Sequence, residues 1–147
     1  MKAEEHIRPK GELSIDIIGP DGNTKERIYI NNLVVQTGRD YIAQRLISDS
    51  DGPMTHMAVG TSNNAAALGD IGLGTELTRQ AFDSATRVAN VTTFVTTYAP
   101  GTATGALTEA GIFNDVSAGI MLCRTEFNVV NKAADDTMVI TWTVTIS

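Results

Sequence analysis

The chain has a single cysteine, Cys123, in 147 residues, so no internal disulfide can form. It has only two histidines, His6 and His56, and with one cysteine they give no zinc-binding spacing. Aromatic residues are scarce at 5%, with one tryptophan, Trp142. No apolar run approaches the roughly 20 residues needed to span a bilayer. The first residues, MKAEEHIRPKG, lack the apolar stretch of a signal peptide, which leads us to expect a protein made and used without export. Positive charge is also short: 11 Lys and Arg stand against 17 Asp and Glu, a net charge of −6. Phosphate backbones demand basic surfaces, so neither nucleic acid nor a membrane is an expected partner.

What is present is β-forming sequence with frequent turns. Residues 1–50 hold 15 of the 28 charged side chains. The remainder is rich in Thr, Ala, Gly and Val, a weakly charged surface that suits a β module packed among neighbours. Pro9 and Gly11 punctuate residues 1–11, which read as an extended arm, disordered alone and ordered on a partner. ELSIDIIG alternates at Leu13, Ile15 and Ile17, the turn Pro20-Asp21-Gly22-Asn23 follows, and KERIYI returns as a hairpin. Residues 56–60, 76–82, 86–89, 91–99, 107–113 and 120–127 read as further strands. TMVITWTVTIS alternates most cleanly, with Met138, Ile140, Trp142, Val144 and Ile146 on one face. One helix is expected near residues 38–48, with Thr37 as its N-cap, Asp40 as the N3 capping acid, and Tyr41, Ile42, Leu46 and Ile47 as its apolar stripe. The expected fold is all-β: an antiparallel sandwich, jelly-roll-like, formed by one domain over residues 12–147.

Catalytic chemistry needs a nucleophile, a base and an orienting group, and the sequence does not group them. His6 falls in the arm, and His56 opens a strand. Cys123 alternates with Met121 as a small core residue. GDIGLGTE (69–76) superficially resembles a phosphate-binding loop, but no strand precedes it and no Gly-Lys-Ser/Thr follows. Asn90-Val91-Thr92 matches a glycosylation sequon without a secretion signal to make it usable. No catalytic, metal or cofactor site is therefore expected, and no cofactor.

The segments NLVVQTGRDYIAQRLIS, MTHMAVGTS, ALGDIGLGTELTRQAF, TGALTEAGIFN and IMLCRTEFNVVNKAADDTMVITWTVTIS occur in order over residues 32–147. In this order they resemble a family of small structural proteins of tailed-bacteriophage virions, whose members carry MAVGTG, DTALGTE, GALTEAGLFN and ITWT segments. GDIGLGTE departs from the DTALGTE pattern by an extra glycine. The resemblance implies a non-enzymatic virion component, assembled in the bacterial cytoplasm. The family does not fix the location. One short domain without a coiled-coil shaft, the acidic net charge and the charged N-terminal arm favour head decoration (cement) on the outer capsid surface, as a homo-oligomer, with a trimer favoured, bound to the major capsid protein. The alternative is a tail, baseplate or fibre-attachment subunit with tail proteins as partners.

ALTEAGIFN (106–114) raises its own question, because Glu109 lies inside a small apolar strand. A symmetric hairpin of residues 107–113 and 120–126 sets Phe113 opposite Ile120 and Glu109 opposite Arg124. Ala110, Ile112, Met121 and Cys123, with Phe127 beyond, then face the core. Leu107, Glu109, Phe113, Ile120, Leu122 and Arg124 share the other face, too apolar for water and too charged for a dry core. That face is the candidate subunit interface, with the Glu109–Arg124 pair setting register.

Overall fold

The computed structural model describes residues 6–147. Among the described residues nine strands and one helix form, each overlapping a segment that the sequence pattern marked. Strands β1 (Pro9–Ile18) and β2 (Thr24–Val34) make the first hairpin, followed by α1 (Gln36–Gln44). Strands β3 (His56–Gly60), β4 (Glu76–Ala81), β5 (Ser84–Val88), β6 (Val91–Tyr98), β7 (Gly105–Phe113), β8 (Met121–Lys132) and β9 (Thr137–Ile146) complete the chain. In the first turn the Asp21 carboxylate accepts the Asn23 N–H at 3.0 Å, and Gly22 takes φ +82°, which a Cβ would resist.

The strands run in the order β4-β3-β7-β8-β2-β1-β9-β6-β5, and every pairing is antiparallel. The all-β antiparallel class therefore holds. The two layers expected of a sandwich are two halves of one curled sheet. Strand β2 joins them: most of its length pairs with β1, while Leu33 and Val34 pair with Arg124 and Cys123 of β8. The curl brings the two ends of the sheet together. The Tyr98 hydroxyl donates to the Met57 carbonyl at 2.7 Å, and Gln80 Nε2 donates to Thr97 O.

Between the halves lies the core. Leu13, Ile15 and Ile17 of β1 and Met138, Ile140, Trp142 and Val144 of β9 meet Met57, Val59, Ala110, Ile112 and Cys123 from the opposite half. Trp142 is fully buried, as the period-2 pattern of the last strand requires.

Two expectations about boundaries change. The arm reading of residues 1–5 lies outside the described residues, and residues 9–11 are not an arm: β1 begins at Pro9, paired with Ile146, three residues before the alternation starts. Arg8 and Ser147 also exchange backbone hydrogen bonds. Proline is tolerated at the first position of a strand, so Pro9 does not end the pairing. The helix begins at Gln36, and no side chain caps it. The Thr37 hydroxyl instead donates to Met121 O at 2.8 Å, and Asp40 accepts from Gln36 Nε2 at 2.8 Å. The helix ends at Gln44, so Leu46 and Ile47 fall beyond it, 85% and 84% exposed. Their helical spacing continued the pattern of Ile42 after the backbone had left it.

Contact between α1 and β8 depends on Gly38, where a Cβ would stand 1.9 Å from the Leu122 carbonyl oxygen. Backbone cannot step aside as a side chain can. Gly38→Ala is expected to displace the helix and lower the unfolding free energy by about 1–3 kcal/mol or more, measured by chemical denaturation.

Candidate functional site

The sequence pointed to Glu109 and Arg124, and they meet. Arg124 Nη2 lies 3.1 Å from Glu109 Oε1, and Nε donates to the same oxygen at 3.3 Å. The register that joins them differs from the symmetric one. Gly111 stands opposite Arg124, and Glu109 stands opposite Glu126. An offset of two residues keeps Glu109 and Arg124 on one face as diagonal neighbours, within reach of long side chains.

The proposed interface face does not survive. A register shift between Ile112 and Phe113 takes Leu122 into the main core and Met121 to the opposite side, where it joins Phe113, Val35 and Ala58 in a small cluster under Leu73. Leu107 and Leu122 are instead part of the main core, with Ile120 packed against it. The six residues are thus split between two sides of the sheet. Leu107, Glu109, Phe113, Leu122 and Arg124 are all buried within the chain itself. Two bulges cause the split: one between Leu107 and Glu109, which sends Leu107 to the core, and one set by the loop. The Asn114 side chain accepts the Ile120 N–H at 2.6 Å, and Ala118 and Gly119 both take positive φ. This makes an asymmetric connection with a bulge instead of a symmetric hairpin.

What covers Glu109 is the connection between β3 and β4, residues 61–75. The Glu109 carboxylate accepts the N–H groups of Ser62 (2.8 Å), Gly74 (2.7 Å) and Thr75 (2.8 Å). Arg124 extends the network, donating to Asp70 Oδ2 at 2.9 Å and to Asn64 O at 2.8 Å. The Thr108 hydroxyl donates to Ser62 O at 2.8 Å. A Cβ on Gly60 would lie 2.2 Å from Thr75 O and 2.7 Å from Glu109 Oε2, so the strand end must be glycine for the loop to close. Successive amides of a turn make an anion cradle. The likeness of GDIGLGTE to a phosphate loop thus has a physical basis: Gly74 and Thr75 do hold an anion, and it is the chain's own Glu109.

Burial pushes the Glu109 pKa up, but the N–H groups of Thr75, Ser62 and Gly74 and the Arg124 guanidinium outweigh it, and the net shift is down from the ordinary 4.5. A carboxylate with a depressed folded-state pKa adds stability above its unfolded value, and that stability is lost as pH falls through the folded one. Asp136 adds in the same direction: a hydrogen bond from Lys25 and the Ala133 N–H lower its pKa. The denaturation midpoint is therefore expected to hold near neutrality and fall as pH drops below the ordinary carboxylate range. Glu109→Gln should flatten part of that fall.

Chemically the site is saturated. Both carboxylate oxygens and the Arg124 guanidinium are engaged by groups of the chain itself. Elsewhere, His56 Nδ1 lies 2.7 Å from the hydroxyl of Thr55. Cys123 is fully buried, and burial pushes its thiol pKa up. Among the described residues no group of three or more His, Cys, Asp or Glu is placed to hold a metal ion.

Sequence reasoning missed Asp70 and the amides of Ser62, Gly74 and Thr75. A signal existed: a buried carboxylate needs partners, and the glycine-rich loop was a source of free N–H groups. A second internal latch was also missed, with Lys132 Nζ donating to Ala99 O at 3.0 Å and Asp136 held by Lys25 at 3.0 Å. Set against known proteins, the chain matches no protein family, no curated protein and no solved structure.

Proposed function

We propose that this protein is a non-enzymatic structural component of a tailed-bacteriophage virion, most simply a decoration (cement) protein on the outer surface of the head. One observation supports the reading above the others. MAVGTS (57–62), GLGTE (72–76) and GALTEAG (105–111), which carry the resemblance to phage virion proteins, converge on one carboxylate. Gly60 and Ser62 come from the first, Gly74 and Thr75 from the second, and Glu109 from the third. Short motifs of small residues are weak separately. Three that depend on one another physically are one constraint, and they mark a shared way of building the fold. Their chemistry supports a framework role, because the carboxylate on which they converge holds a loop.

Head decoration is favoured by an acidic net charge of −6, which suits the outside of a shell better than its DNA-facing lumen. The partners are the major capsid protein and further copies of this chain, with a trimer favoured. The second reading is a tail, baseplate or fibre-attachment subunit, for which the same fold and charge serve. The test is reconstitution. Purified protein is added to heads assembled without it, and their thermal disruption is followed. Decoration raises the disruption temperature in a saturable way. Unchanged heads that acquire the protein only when tails attach favour the second reading, and no association with either overturns both.

A further inference from the structure

The basic residues of this acidic protein are not scattered. Of those described, Lys25, Arg27, Arg79 and Arg124 form ion pairs with carboxylates, and Lys132 is buried against a backbone carbonyl. The other five are Arg8, Lys10, Arg39, Arg45 and Arg87, and among the described residues none is ion-paired. All five line two adjoining clefts that share Ile42 and Ile146. Asp40 and Asp51 line a neighbouring cleft that shares Tyr41 with the first.

The first of the two clefts is the open mouth between the halves of the sheet, with a volume of about 400 Å³. Its floor is apolar, formed by Met54, Phe94, Leu122 and Val144. Arg45 stands on the α1 side and Arg87 on the β5 side. Strand β5 is the last in the sheet and pairs only with β6, and all five of its residues are exposed. Ala85 stands opposite Phe94 and Arg87 opposite Thr92, so alternate β5 side chains turn toward the cleft.

We infer that this mouth and the free edge of β5 together form a docking site for an extended segment of a partner protein, one whose every second side chain is by turns apolar and carboxylate, with small polar residues between them. Main-chain groups of the segment pair with the open edge of β5, and every second side chain hangs over the cleft. The apolar floor takes the apolar ones, and Arg45 and Arg87 take the carboxylates. A five-residue edge carrying an arginine is too short and too charged for indiscriminate pairing, so the occupant is selected by the charge and apolarity of the cleft. This inference goes beyond the virion reading and stands or falls apart from it.

The test uses the isotope-labelled full chain in an NMR titration with two capped hexapeptides, a glutamate peptide Val-Thr-Glu-Thr-Val-Thr and a lysine peptide Val-Thr-Lys-Thr-Val-Thr, each of which turns valine and the charged residue to one face. The glutamate peptide is expected to give saturable shifts at the β5 amides and the cleft residues, and the lysine peptide none. Arg87→Glu, at an exposed position, should leave the spectrum dispersed, lose binding of the glutamate peptide and gain binding of the lysine peptide. Arg45→Glu provides a second variant, expected to weaken the glutamate peptide. Decanoate is the control for a small anionic amphiphile. The inference is overturned if neither peptide shifts the β5 amides, if both bind alike, or if binding persists in Arg87→Glu. It is also overturned if decanoate binds in the cleft while the glutamate peptide leaves β5 untouched.

Discussion

Glu109→Gln is expected to lower the unfolding free energy by about 3–5 kcal/mol, the range for removing one member of a buried charged pair. The substitution keeps size and shape, so the loss is electrostatic. Oε1 accepts the Gly74 N–H and Arg124, while Oε2 accepts the N–H groups of Ser62 and Thr75. An amide presents one oxygen and one NH2 group, so in either orientation one pair of donors faces another donor. Arg124 would keep Asp70, itself partly exposed, as its remaining carboxylate. The loss is local before it is global: amide exchange at Ser62, Gly74 and Thr75 should accelerate well ahead of the core strands. On the interface reading, Glu109→Ala and Arg124→Ala would harm assembly more than folding. Burial within the chain reverses that order, and the isolated protein should show the defect. Urea denaturation with hydrogen exchange checks it, and an unchanged midpoint with protected loop amides would contradict the latch.

The second large effect is at Trp142. Trp142→Ala should cost about 3–5 kcal/mol through lost burial and a residual cavity. Its ring lies in the middle of β9, opposite Leu13 of β1 and Phe94 of β6, so it joins the central strands of its half-sheet to the core. Its indole Nε1 is buried without a hydrogen-bond partner among the described residues. Trp142→Phe removes that unsatisfied donor along with some volume, so it should cost clearly less than alanine. Thermal unfolding of the two variants side by side checks both statements, and a tryptophan-to-alanine midpoint equal to that of the unmodified protein would place this strand outside the core.

The strands were legible because half-burial writes alternation into sequence. β9 could be read residue by residue, and β1, β3 and β6 nearly so. Register was not legible in the same way. The β7–β8 pairing turns on the Asn114 side chain and on two positive-φ residues in a short loop, and one extra residue there exchanges the faces of Met121 and Leu122. Sequence alternation predicts two faces but not where a bulge exchanges them. The site was half legible. Glu109 and Arg124 stood out as charges in apolar strands, and their mutual contact followed from reach along one face. Their burial did not, because the lid that covers them is a loop without periodicity. Its contribution is backbone N–H groups, which no side-chain pattern reports.

The most direct test of the proposed virion role is the number of copies of this chain, relative to the major capsid protein, in purified particles of the phage that encodes it. The decoration reading predicts a fixed ratio of the same order as the shell protein itself. A count of about three to twelve per particle, as closed tail symmetries give, would move the protein to the tail. Its absence from purified particles would contradict the account.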